Sequence, residues 1–183
     1  MNMLVRLAVL AAVAITISAC SEQQSNTEAP LPVALSEESV GHYCNMTILE
    51  HTGPKAQIHL AGNPHPIWFS QVRDGIAFTR SPEENYETVV VYVNDMGKAE
   101  DWDFPGFETW IDAREAWFVI GSRKTGGMGT PEVIPFGTEQ TASGFAEENG
   151  GVVVRLAEIP DAYVLGPTGL DPENGDPVTG AIQ

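Results

Sequence analysis

Between about residues 40 and 165, apolar and polar positions fall into two rounds of the same order. The first round offers short apolar strands at Gln57 to Ala61 and Pro66 to Phe69, an amphipathic helix from Ser70 to Phe78, and a β-branched run from Thr88 to Val93. The second repeats it with Ala116 to Ile120, Glu132 to Phe136, a helix over Thr138 to Glu148, and Gly151 to Leu156. Strand, strand, helix, strand, twice over, predicts an α+β fold of two ββαβ halves, about 40–97 and 98–165, in one compact unit. Runs such as Val89-Val90-Val91 and Val152-Val153-Val154 are apolar on both faces, which predicts central, covered strands. A stretch of this length is enough for one hydrophobic core.

The flanks follow other rules. An apolar run from Leu7 to Ile17 follows Arg6 and stops at Ser18-Ala19-Cys20. Eleven residues are too few to cross ~30 Å of hydrocarbon, and small residues before a cysteine suit a peptidase. The pattern is that of a bacterial lipoprotein signal: residues 1–19 removed, Cys20 acylated, and the mature chain held to a membrane outside the cytoplasm by its acyl chains. An ordinary cleaved signal peptide or a short buried helix is the alternative. Ser21, where an Asp would retain the protein at the inner membrane, favours the outer membrane, on the periplasmic face. Residues 20–39 are polar with Pro30 and Pro32 and read as a flexible tether reaching about 50 Å. Residues 166–183, rich in Gly and Pro, read as a disordered tail.

Charge narrows the partners. The net charge of −16 becomes −17 once Arg6 leaves with the signal, which argues against nucleic acid. The chain has two cysteines, so acylation of Cys20 leaves Cys44 as a thiol without a disulfide partner in an oxidising compartment. Such a thiol needs burial or an occupant.

In His42-Tyr43-Cys44-Asn45-Met46, an extended backbone would put imidazole, thiol and thioether of His42, Cys44 and Met46 on one face. Cys44 and Met46 are equally types that bury in cores, and taken alone the segment favours that packing role. Met96, in Asn94-Asp95-Met96-Gly97, and Met128, in Gly126-Gly127-Met128-Gly129, stand in turn-forming sequence where core packing explains a methionine less well. A thiol with thioethers suits a soft monovalent metal, above all Cu(I). No H-E-x-x-H, G-x-S-x-G or C-x-x-C occurs, and the glycine-rich loop matches neither phosphate-binding spacing. Glu50-His51 and Asp74 read as solvated or structural groups.

These segments resemble the NosL family of copper-binding lipoproteins. The likeness is carried by the lipobox ending at Cys20, His42 to Met46, Glu50 to Gln57, Trp68 to Asp74, Tyr92 to Gly97, Gly121 to Arg123, Gly126 to Gly129 and Pro135-Phe136. The resemblance implies a Cu(I) chaperone, not an enzyme. It implies delivery of copper for the copper-sulfide centre of nitrous oxide reductase, in denitrification, alongside a membrane ABC transporter complex. It makes Cys44, Met46 and Met128 the expected ligands, with Met96 and His42 less secure. It also implies an organomercurial-lyase-like fold, although the cysteine pair of that enzyme is missing here. Two rival readings are a thiol-dependent lyase or acyl transferase using Cys44, and an interaction lipoprotein that binds no metal.

Overall fold

The computed structural model describes residues 29–167. The expected signal peptide, Cys20 and nearly all of the tail lie outside the described residues. Two antiparallel sheets organise the chain. The first takes β1 (Ala56–Leu60), β2 (Ile67–Phe69), β3 (Thr88–Asn94) and β4 (Trp110–Asp112) in the order β2-β1-β3-β4. The second takes β5 (Trp117–Ile120), β6 (Ile134–Phe136) and β7 (Val152–Arg155) in the order β6-β5-β7. Helix α1 (Val72–Arg80) follows β2, and helix α2 (Glu139–Asn149) follows β6. Each half therefore runs strand, strand, helix, strand, and the fold is α+β.

Three details depart from the sequence reading. The first half extends to Asp112, because β4 adds to the edge of β3 with Tyr92 opposite Asp112 and Asn94 opposite Trp110. Strand β7 is an edge strand in a sheet of three, and Val152 at its start is exposed rather than covered. A short helix, α3 (Asp161–Leu165), closes the domain. Two arginines hold it and the turn before it to α1: Arg73 donates to the carbonyls of Tyr163 and Gly166, and Arg80 to those of Leu156 and Ile159.

Local chemistry fixes the helix ends. Ser81 precedes Pro82, which pushes it out of the helical region (φ −67, ψ 127) and stops α1. Thr138 caps α2 by accepting from the Thr141 amide at 3.2 Å, and Gly150, at φ 76, ends it. The main core crosses both halves, with Ala56, Ile58, Phe69, Val72, Ile76 and Val93 packed with Ala116, Phe118, Val133 and Val164. One core joins the two sheets into a single unit.

The segment expected to be free tether up to residue 39 is partly docked. Gln57 accepts from the Val33 amide and donates to its carbonyl, both at 2.8 Å. Tyr92 donates to the Pro30 carbonyl, the Leu35 amide donates to Phe107, and Leu35 is buried.

Candidate metal site

The docked segment leads into a tight hairpin loop. Val40 and Thr47 pair antiparallel, the Gly41 amide donates to Met46 O, and the Asn45 amide turns back on to Gly41 O at 2.9 Å. Asn45 takes a left-handed φ of 54, which an asparagine tolerates better than most residues. His42 to Cys44 are therefore a turn, and the extended face predicted for His42, Cys44 and Met46 does not form. The His42 and Tyr43 rings pack with Phe69 and Phe78 at centroid distances of 5.3 to 6.4 Å and anchor the loop to the first core. The Tyr43 hydroxyl donates to Glu84 at 3.4 Å, and burial beside that carboxylate pushes its pKa up to about 12. Cys44 is left half-buried and Met46 is 44% exposed.

The group facing the thiol is His51. A 3-10 turn at Ile48–Glu50 brings the chain back so that His51 Nε2 lies 3.8 Å from Cys44 Sγ. His51 is 7% exposed, and its Nδ1 lies 3.3 Å from the Gly127 carbonyl. A carbonyl can only accept, so Nδ1 carries the ring proton and Nε2 turns its lone pair toward the thiol. A thiolate and an imidazole nitrogen this close would together hold one small soft ion. Among the described residues no three His, Cys, Asp or Glu side chains converge, so any further donor would be of another type.

The Gly126–Gly129 loop lies against His51. A Cβ on Gly127 would collide with His51 Cβ and Thr52 O, so only glycine lets the loop approach this closely. Met128 is 47% exposed, and its amide donates to Gln71 Oε1 at 2.9 Å. The loop brought to the Cys44 and His51 pair is thus the one carrying Met128. Met96 is elsewhere: it packs against the second core cluster of Val119, Ile134, Phe136 and Ala142 and lines a hollow with Trp102 and Phe145. Its expected role as a ligand has no geometric support. His42 is likewise committed to aromatic packing. His51 was read from the sequence as solvated or structural, and its only signal there was a position seven residues beyond Cys44.

Two buried ionisable groups lie behind the site. Lys55, 2% exposed, donates to the carbonyls of Thr52 and Gly53, and burial lowers its pKa to about 8. Glu132, 1% exposed, accepts through Oε1 from the amides of Arg73 and Val133 at 2.8 Å, and burial raises its pKa to about 8.

The family model described as NosL matches residues 32–164. Over 174 residues the chain is 47% identical to the copper-binding lipoprotein NosL of Achromobacter cycloclastes, covering 93% of this chain and 89% of that one. The copper-binding lipoprotein NosL of Stutzerimonas stutzeri is 32% identical over 159 residues, covering 86% and 80% respectively. The crystal structure of the copper chaperone NosL from Shewanella denitrificans aligns at a TM-score of 0.67 with 34% identity, over 72% of this chain and 97% of that one.

Proposed function

Since the chain belongs to the NosL family, we propose that it is a copper chaperone that carries Cu(I) on Cys44 and His51, with Met46 and Met128 as exchangeable thioether donors. The observation that carries this reading is the Cys44 Sγ to His51 Nε2 approach of 3.8 Å, with the other ring nitrogen committed to the methionine-bearing loop. Thiolate and imidazole with thioethers form a soft donor set that selects Cu(I) over calcium or magnesium. Binding requires the thiol proton to leave, so affinity rises with pH until Cys44 is ionised.

Release is stepwise. Neutral thioethers on exposed loops give way first to a partner's donors, while the thiolate keeps the ion from escaping to solvent. In this reading the copper goes to the copper-sulfide centre of nitrous oxide reductase, through a membrane transporter complex, and acylated Cys20 keeps the protein on the periplasmic face, at the outer membrane. A thiol beside an imidazole is also the first requirement of a cysteine nucleophile. The relatives, however, are named for copper binding and as a chaperone, not as enzymes. The test is a competition titration with a chromogenic Cu(I) chelator. Cys44→Ser abolishes tight binding; unchanged affinity in that variant would overturn the site.

A further inference from the structure

Glu132 Oε2 is buried without a hydrogen-bond partner. An unpaired buried carboxylate oxygen is costly, whereas a protonated one needs only an acceptor. The Gln71 amide oxygen stands across Gly126 from it: a Cβ on Gly126 would lie 2.4 Å from Glu132 Oε2 and 2.7 Å from Gln71 Oε1, so the two oxygens flank a space that only glycine leaves open. Gln71 Oε1 also accepts from the Met128 amide at 2.9 Å and from Thr130 Oγ1 at 3.1 Å, and Gln71 Nε2 donates to Asp74 at 3.2 Å. The amide is thereby oriented with its oxygen toward the loop.

We propose that Glu132, holding its proton, is the positioning residue for the Met128 loop: its Oε2 hydroxyl donates to Gln71 Oε1, which in turn holds the Met128 amide and Thr130 in the loop that packs on His51. Loss of the proton sets two acceptor oxygens against each other. Turning the Gln71 amide to offer Nε2 relieves that clash but gives up the bonds to Met128 and Thr130. The loop then loosens, so the proton on Glu132 governs how firmly the thioether is presented. The groups facing Glu132 are few. Arg73 supplies a backbone amide while its guanidinium points to Tyr163 O and Gly166 O; Lys55 is committed to Thr52 O and Gly53 O; Asp74 holds Gln71; and the Tyr163 hydroxyl donates to the Glu132 backbone carbonyl. No bond from a cation reaches Oε2.

The proposal deepens the copper reading, yet its test needs no copper. In metal-free full chain carrying Cys44→Ser, which removes the thiol titration, amide spectra are recorded from pH 7 to 9.5. The Met128 and Thr130 amides shift with a midpoint near 8, and adding Glu132→Gln, which keeps a donor at every pH, flattens both curves. A shift that survives Glu132→Gln belongs to Lys55 and overturns the proposal, as do amides that never move. A second measurement needs no variant at position 132: the side-chain carboxyl carbon signal of Glu132 stays unchanged from pH 4 to 7. Titration there at an ordinary glutamate pH would equally overturn it.

Discussion

His51 has one ring nitrogen held by the Gly127 carbonyl and the other turned to Cys44, so truncating it removes the nitrogen donor and the prop under the loop together. His51→Ala should weaken Cu(I) binding by at least the ~10- to 100-fold typical of losing a metal ligand's support. His42→Ala should leave the affinity unchanged and lower the melting temperature, because that ring packs on Phe69 and Phe78. A chelator competition series reads the first effect and a thermal melt the second. Glu132 gives a pH-dependent counterpart. Its folded pKa, about 8, lies above the ordinary glutamate value of 4.5, so the folded state keeps a proton that the unfolded chain loses. Its stabilising contribution is complete below about pH 4.5 and falls as pH rises toward 8. Lys55 does not disturb this window, since it is protonated in both states until about pH 8. Glu132→Gln should therefore gain on the native chain between pH 5 and pH 8 by several degrees in melting temperature. A constant difference across that range would show that Glu132 is ionised in the fold.

At the scale of elements, the close seating of α1 on β1 makes a prediction that helix propensity gets wrong. Alanine is normally better than glycine inside a helix by ~1 kcal/mol. A Cβ on Gly75, however, would lie 2.8 Å from Ala56 Cβ and 3.5 Å from the Phe69 ring, and Ala56 is fully buried. Gly75→Ala should destabilise the fold by about 1 to 3 kcal/mol through overpacking, measured by denaturant unfolding. This seating also marks what the sequence made legible. The two strand, strand, helix, strand rounds were readable because Ala56 to Leu60, Thr88 to Asn94 and the helices carry strong local patterns. Strand β4 was not readable, since three residues, Trp110-Ile111-Asp112, have no period of their own and are strand only by pairing with β3. The edge position of β7 likewise depends on how many strands the second sheet has, which no run of valines encodes. The site divides the same way. Cys44, Met46 and Met128 stood out by residue type, and Met128 also by its setting among turn residues. His51 reaches Cys44 only through the turn at Asn45 and the 3-10 turn that follows, a tertiary approach that an extended reading of His42 to Met46 could not contain.

Across the whole molecule, the docked arm shortens the reach that the proposed attachment at Cys20 would give the proposed copper site. With Pro30, Val33 and Leu35 tied to the first sheet, the chain between Cys20 and Ala29 can span at most about 30 Å by covalent geometry, not the ~50 Å of a tether running to residue 39. Residues 36–47 then continue directly from the docked arm to the hairpin loop with Cys44, so little chain would separate the proposed attachment from the site. A shorter leash raises the effective concentration of the site near a membrane-bound partner and restricts its orientations. Cys20→Ala should accordingly give a protein with unchanged Cu(I) affinity in the chelator titration but poorer copper delivery in cells, read as nitrous oxide reductase activity. Gln57→Ala, which frees Val33 from both of its bonds, should keep the anchor and lengthen the leash, leaving affinity unchanged and lowering delivery less than loss of the anchor does. Equal delivery by the unanchored protein would show that the lipid is an address alone and contributes nothing to transfer.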